Sequence, residues 1–143
     1  MSGLLYVILT IAVLIVVVTV WGQISMRRLA AARPGENFDT FCRSFAWEVV
    51  PADVLRAVYA KFQEWVSGFG VAEFPVRADD DIGRVYGMAD EDQDEVLVAV
   101  IAACGRELPP RERLGAMPAV VTVRDFALFV AACPASPRGD AGR

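Results

Sequence analysis

The side chains best placed to do chemistry in this 143-residue chain are its carboxylates. Eight of them crowd residues 79–95, at Asp79, Asp80, Asp81, Asp90, Glu91, Asp92, Asp94 and Glu95, against a single Arg84. Clustered carboxylates suit acid–base catalysis, cation binding or recognition of a basic partner. Histidine is absent, which removes the commonest general base and metal ligand. Ser-His-Asp and Cys-His nucleophile systems and the His-containing zinc sites go with it. Neither G-x-x-x-x-G-K-[ST] nor G-x-G-x-x-G occurs, so no phosphate cradle is written in the chain. Asp90, Asp92 and Asp94 imitate the opening of a Ca²⁺ loop. Yet Glu95 stands where that loop needs Gly, and Ile101 where it needs the bidentate Glu. Neither catalysis, a cofactor nor a metal is expected. Two readings of the acids remain. One is a solvated helix N-terminus, favoured by the helix dipole. The other is a recognition face of Asp90, Glu91, Asp92, Asp94 and Glu95 for a basic partner.

Charge elsewhere is dispersed. Eighteen acidic residues face thirteen arginines and the single Lys61, for a net charge of −4, which excludes a nucleic-acid footprint. The one basic cluster is Arg27, Arg28 and Arg33, a topology signal and a contact for anionic lipid. Cys42, Cys104 and Cys133 are odd in number and lack C-x-x-C spacing. They read as reduced core thiols of a reducing compartment, the alternative being one reactive or cross-linking thiol.

The elements that must carry these groups begin with a hydrophobic run. Residues 4–21 are apolar except for Thr10 and Thr19, and as a helix they rise about 27 Å, close to the thickness of a bilayer core. A lone segment in lipid can satisfy its backbone only as a helix. Leu4 opens the anchor, and Tyr6 and Trp21 lie near its ends, where amphipathic rings favour the interface. A cleaved signal peptide is the rival reading. It calls for a basic n-region and a shorter apolar core, and the A-x-A match at Ala30-Ala31-Ala32 lies beyond Arg27 and Arg28. With no Lys or Arg before the run and three arginines after it, the expected topology is N-terminus out and globular part cytoplasmic.

Beyond the run, residues 22–33 continue the helix until Pro34-Gly35. Phe38, Phe41, Cys42, Phe45, Ala46 and Val49 follow helical spacing and predict an amphipathic helix, for packing or for docking at the membrane surface. Pro51 suits the first turn of a helix whose apolar period runs from Val54 to Val66, and Gly68 and Gly70 end it. Residues 68–89 read as loop. A further helix starts near Asp90, presents Val96, Leu97, Val100, Ile101 and Cys104 to a core, and stops at Gly105. A short turn is expected near Arg111–Leu114. Thr122 and Asp125 form a capping box for the last helix, with Val123, Phe126, Ala127, Phe129 and Val130 on its apolar side. The tail from Pro134 has nothing to bury and is expected to be disordered. Its Arg138-Gly139-Asp140 matches an adhesion tripeptide by chance.

The order of these pieces resembles an acyl carrier protein domain over residues 52–133, more than half of the chain. The Val54–Val66 helix resembles that family's first helix. Asp79-Asp80-Asp81-Ile82 resembles its long first loop. Val85-Tyr86-Gly87-Met88-Ala89-Asp90 resembles its D-L-G-x-D-S approach to the second helix, with Glu95-Val96-Leu97-Val98 as that helix's body. Glu107-Leu108-Pro109 resembles the E-I-P that follows, and Thr122-Val123-Arg124-Asp125-Phe126 the T-V-x-D opening of the last helix. The family carries phosphopantetheine on a serine that aligns with Asp90. The serines present are Ser2, Ser25, Ser44, Ser67 and Ser136, none of them near it. Asp90 supplies negative charge at a helix N-terminus but cannot hold a thioester. The resemblance therefore implies a carrier-like four-helix fold with an acidic partner-binding helix, and no acyl transfer.

The expectation is an all-α protein: one N-terminal transmembrane helix and a small four-helix acyl-carrier-like bundle with an extra preceding helix. Residues 1–26 form the anchor, 27–50 a juxtamembrane linker and amphipathic helix, 51–133 the helical domain, and 134–143 the tail. Its partners are membrane lipid and a basic protein near the membrane surface. The alternatives are a genuine membrane-tethered carrier modified at an unexpected residue, and a structural small subunit of a membrane complex.

Overall fold

A computed structural model describes residues 2–137, and the Arg138-Gly139-Asp140 match lies outside them. Among the described residues seven helices follow in order: α1 (Ser2–Ala31), α2 (Phe38–Arg43), α3 (Ala52–Ser67), α4 (Ile82–Tyr86), α5 (Asp90–Ala103), α6 (Arg111–Leu114) and α7 (Val123–Ala132). No strand occurs among the described residues. Two isolated antiparallel bridges join Asp81 to Thr122 and Arg106 to Ala135.

Helix α1 is long and apolar enough to cross a membrane, and none of its apolar window is buried against protein. Its two threonine hydroxyls turn back on their own helix, Thr10 donating to the Tyr6 carbonyl and Thr19 to the Ile15 carbonyl, each at 2.8 Å. Both threonine hydroxyls are thereby satisfied within the helix, as an apolar medium requires. The far end of the same unbroken helix enters the domain: Met26 lies in the core, with Leu29 and Ala30 packed against it. The core thus begins inside the segment read as the anchor, at Met26, and Leu29 and Ala30 of the segment read as a linker pack against it, because an apolar stripe continues past Trp21.

The amphipathic helix predicted over 38–49 is shorter. Asn37 caps α2 by accepting from the Asp39 and Thr40 backbone N–H groups. Phe38, Phe41 and Phe45 pack with Tyr59 as an aromatic cluster. After Arg43 the chain tightens into i→i+3 turns, because the Ser44 carbonyl is taken by Arg124 (2.9 Å) rather than by a continuing helix. Ala46, Trp47 and Val49 are left exposed.

Helices α3, α5 and α7 meet around Val54, Val58, Phe62, Val100, Val123 and Phe126, all 2% exposed or less. Phe62 sets its ring edge-on to Tyr86 (4.7 Å) and to Phe126 (5.5 Å). Within the stretch read as loop, Asp81 caps the five-residue α4 by accepting from the Arg84 N–H. Gly87, at φ 65°, reverses the chain into α5. Residues 78–82 run beside 121–124, with Ile82 N–H donating to Val121 O (2.9 Å) and Val123 N–H to Asp80 O (3.0 Å). The tail expected to be disordered from Pro134 is instead held through residue 136. Glu107 N–H donates to Pro134 O and Ser136 N–H to Gly105 O, so backbone pairing substitutes for the apolar side chains it lacks.

Candidate functional site

The acidic stretch separates into two groups with different work. Asp79, Asp80 and Asp81 are committed to the fold. Asp79 pairs with Arg124 at 3.0 Å, and Asp81 caps α4. Asp80 is 5% exposed and takes both guanidinium arms of Arg33, at 2.8 and 2.6 Å. It also accepts from the Tyr86 hydroxyl (2.8 Å) and the Arg77 N–H (3.0 Å). Arg33 itself donates to the Pro75 carbonyl (2.8 Å) and lies over the Phe74 ring. Burial, followed by the Asp80 charge, pushes the Tyr86 hydroxyl far above the usual phenol range. It therefore remains a donor.

This corrects the reading of Arg33 as a lipid contact. Its charge is neutralised inside the protein, which is the only inexpensive way to bury a guanidinium. Arg27 and Arg28 remain exposed on α1. Leu4, Tyr6 and Trp21 are 70, 73 and 72% exposed along the same helix.

The second group sits on α5. Asp90, Glu91, Asp94 and Glu95 are exposed, and none of them forms an ion pair among the described residues. Asp92 is partly buried and accepts from the Ala89 N–H (3.1 Å), so it caps its own helix. No group of three or more metal-ligating side chains converges among the described residues.

The placement of α5 follows from its neighbours. The Trp65 indole N–H donates to the Tyr86 carbonyl (2.9 Å). A cleft of about 290 Å³ is lined by Lys61, Glu64 and Trp65 of α3 and by Asp92, Glu95 and Val96 of α5. At the opposite end, the Asp53 charge near the start of α3 is felt by Cys104 after α5. The two helices are therefore antiparallel, and the acidic first turn of α5 lies toward the end of α3. The turn after α3 in turn meets α1, where Phe69 packs against Gly22.

Sequence periodicity does not reveal Lys61, Glu64 and Trp65 as neighbours of the acidic face. Lys61 and Glu64 fall off the apolar period of α3, while Trp65 lies at its edge, partly buried against the core. A second, more apolar groove of about 580 Å³ opens on the other side of α5. Leu97, Val98, Leu108, Leu114, Met117 and Phe129 line it, with Asp90 and Asp94 also on its wall.

All three cysteines are free. Burial raises each thiol above its usual pKa, the Asp39 charge adding to the effect at Cys42. Cys133 is buried in the core, and Cys42 and Cys104 are half-buried against it, an environment that lowers thiol reactivity.

Comparison with known proteins returns no matching family model, no matching curated protein and no matching solved structure.

Proposed function

We propose that this chain is a single-span, membrane-anchored binding module that presents the acidic face of α5 to a basic protein partner at the membrane surface. One observation carries the reading: Asp90, Glu91, Asp94 and Glu95 are exposed and unpaired, at the end of the domain that is joined to α1. Concentrated like charge accelerates encounter with a basic surface and disfavours wrong partners. No nucleic acid is involved, because the exposed field is acidic. The anchor is retained in the mature protein. Cleavage at Ala30-Ala31-Ala32 would strip Met26 and Leu29 from the core. The arginine flank supports an N-terminus outside and a domain in the cytoplasm.

The finer fold reading is an acyl-carrier-like bundle of α3, α5, α6 and α7, with α2 as the extra helix and Asp90 at the first position of α5. The apolar groove beside Asp90 favours a second reading, a working carrier modified at another residue. Intact-mass measurement of protein from its native membrane decides that point, since a phosphopantetheine adduct would replace the first reading by the second.

The test of the first reading uses Asp94→Lys with Glu95→Lys, because Asp92 is needed as a helix cap. Co-purification from native membranes should lose a salt-sensitive partner that the unaltered protein retains, with helicity unchanged. An identical set of bound proteins for both forms would overturn the acidic-face reading.

A further inference from the structure

We propose that the 67–72 turn is a lipid-contacting foot that seats the domain on the bilayer surface in one fixed orientation. The inference rests on the reading of α1 as a membrane span and adds a second point of membrane contact to it. Helix α1 is unbroken from Ser2 to Ala31, so depth along it can be counted. Gly22 is one residue, about 1.5 Å, beyond Trp21, and Arg27 is about 9 Å beyond it. The first level is the boundary of the hydrocarbon core. The second lies near the outer edge of the headgroup layer, which adds roughly 5–7 Å on each side.

The domain docks on α1 at these same levels. A Cβ on Gly22 would stand 3.4 Å from the Phe69 ring, and Gly70 lies beside Arg27 and Gln23. Met26 is buried one turn further on, and Arg33 closes the junction through Asp80. No flexible tether separates span from domain, so the turn after α3 is held where lipid headgroups begin.

Its composition fits that place. Between Glu64 and Glu73 no residue is charged, in a chain where charge is otherwise frequent. Gly68 and Gly70 are exposed and Phe69 is half-buried, while Ile24, close by on α1, is 43% exposed. Aromatic and small uncharged groups are what the interface accepts.

Full-length protein with its three cysteines replaced would be labelled with the fluorophore NBD through Ser67→Cys, Leu14→Cys or Trp47→Cys. Each form is reconstituted in phosphatidylcholine vesicles that carry a shallow or a deep nitroxide lipid. Position 67 should lose emission with the shallow quencher and position 14 with the deep one. Position 47, beyond the start of α3, should lose emission with neither. Gly22→Leu, which pushes Phe69 away, should abolish the loss at position 67 while leaving helicity intact. Emission at position 67 as unquenched as at position 47, with position 14 quenched, would overturn the foot and leave the span standing. Unquenched emission at position 14 would overturn the span itself.

Discussion

Asp80 gathers partners from four parts of the chain: Arg33 after α1, the Arg77 backbone, Tyr86 of α4 and, through its own carbonyl, Val123 of α7. An ion pair this deeply buried need not be more stabilising than an apolar substitute, but removing one member leaves the other charge stranded. Arg33→Met should therefore destabilise the full-length protein by about 3–5 kcal/mol. Arg33→Met with Asp80→Leu should cost less than the sum of the two single changes. Denaturant unfolding of the four forms in one detergent measures the coupling, and additive losses would refute it. The sequence shows Arg33 as a flanking cation and Asp80 as the middle of an acidic triplet. It cannot show that they meet, because no local spacing encodes a contact 47 residues apart. The cysteines are simpler to read, since composition already favours buried thiols. With each thiol raised above its usual range by burial, alkylation at neutral pH should be slow at all three and become fast in denaturant. Mass spectrometry of the quenched reaction follows this directly.

Elements long enough to repeat their apolar stripe are legible in the sequence, and so are the four-residue α6, expected as a short turn near Arg111–Leu114, and the start of α2 at Phe38; α4 is not. Helices α3, α5 and α7 span between 10 and 16 residues and carry an identifiable period, whereas the five residues of α4 make little more than one turn. The clearest local signal was the start of α7. Thr122 accepts from the Asp125 N–H (3.2 Å), while the Asp125 carboxylate takes the Thr122 N–H (2.9 Å) and its hydroxyl (2.8 Å). Thr122→Ala should cost about 1 kcal/mol, within the usual range for a lost N-cap. For Asp125, burial pushes the carboxyl up, but the Thr122 and Val121 hydrogen bonds outweigh it, and the net pKa lies below the ordinary value. A depressed folded pKa stabilises the native state above the unfolded pKa of about 4. That contribution is lost as pH falls through the lower, folded value. Unfolding midpoints should therefore decline below about pH 4, and Asp125→Asn should flatten part of that decline. An unaltered slope in the variant would remove Asp125 from the account.

At the scale of the whole molecule, a mildly acidic chain conceals a polarised one. Residues 79–95 carry seven net negative charges against a total of −4. Ion pairs at Asp79 and Asp80 neutralise part of this, so the free field is narrowed to one end of α5. Arg33 is likewise spent inside the domain, which leaves Arg27 and Arg28 as the exposed basic flank of the apolar part of α1. If the positive-inside bias sets the topology, these two and Arg33, all within 12 residues of Trp21, carry it while the chain inserts. A C-terminal reporter that works only outside the cytoplasm should be silent, and one that works in the cytoplasm should be active. Replacing Arg27 and Arg28 by Gln while inserting two arginines after Met1 should move a measurable share of molecules to the opposite orientation. Arg33→Met alone should unsettle the fold without moving the reporter, because the Asp80 partnership is lost while Arg27 and Arg28 still flank α1 on the same side. An exterior reporter already active on the unaltered chain would defeat the orientation, and would place the acidic face of α5 outside the cell.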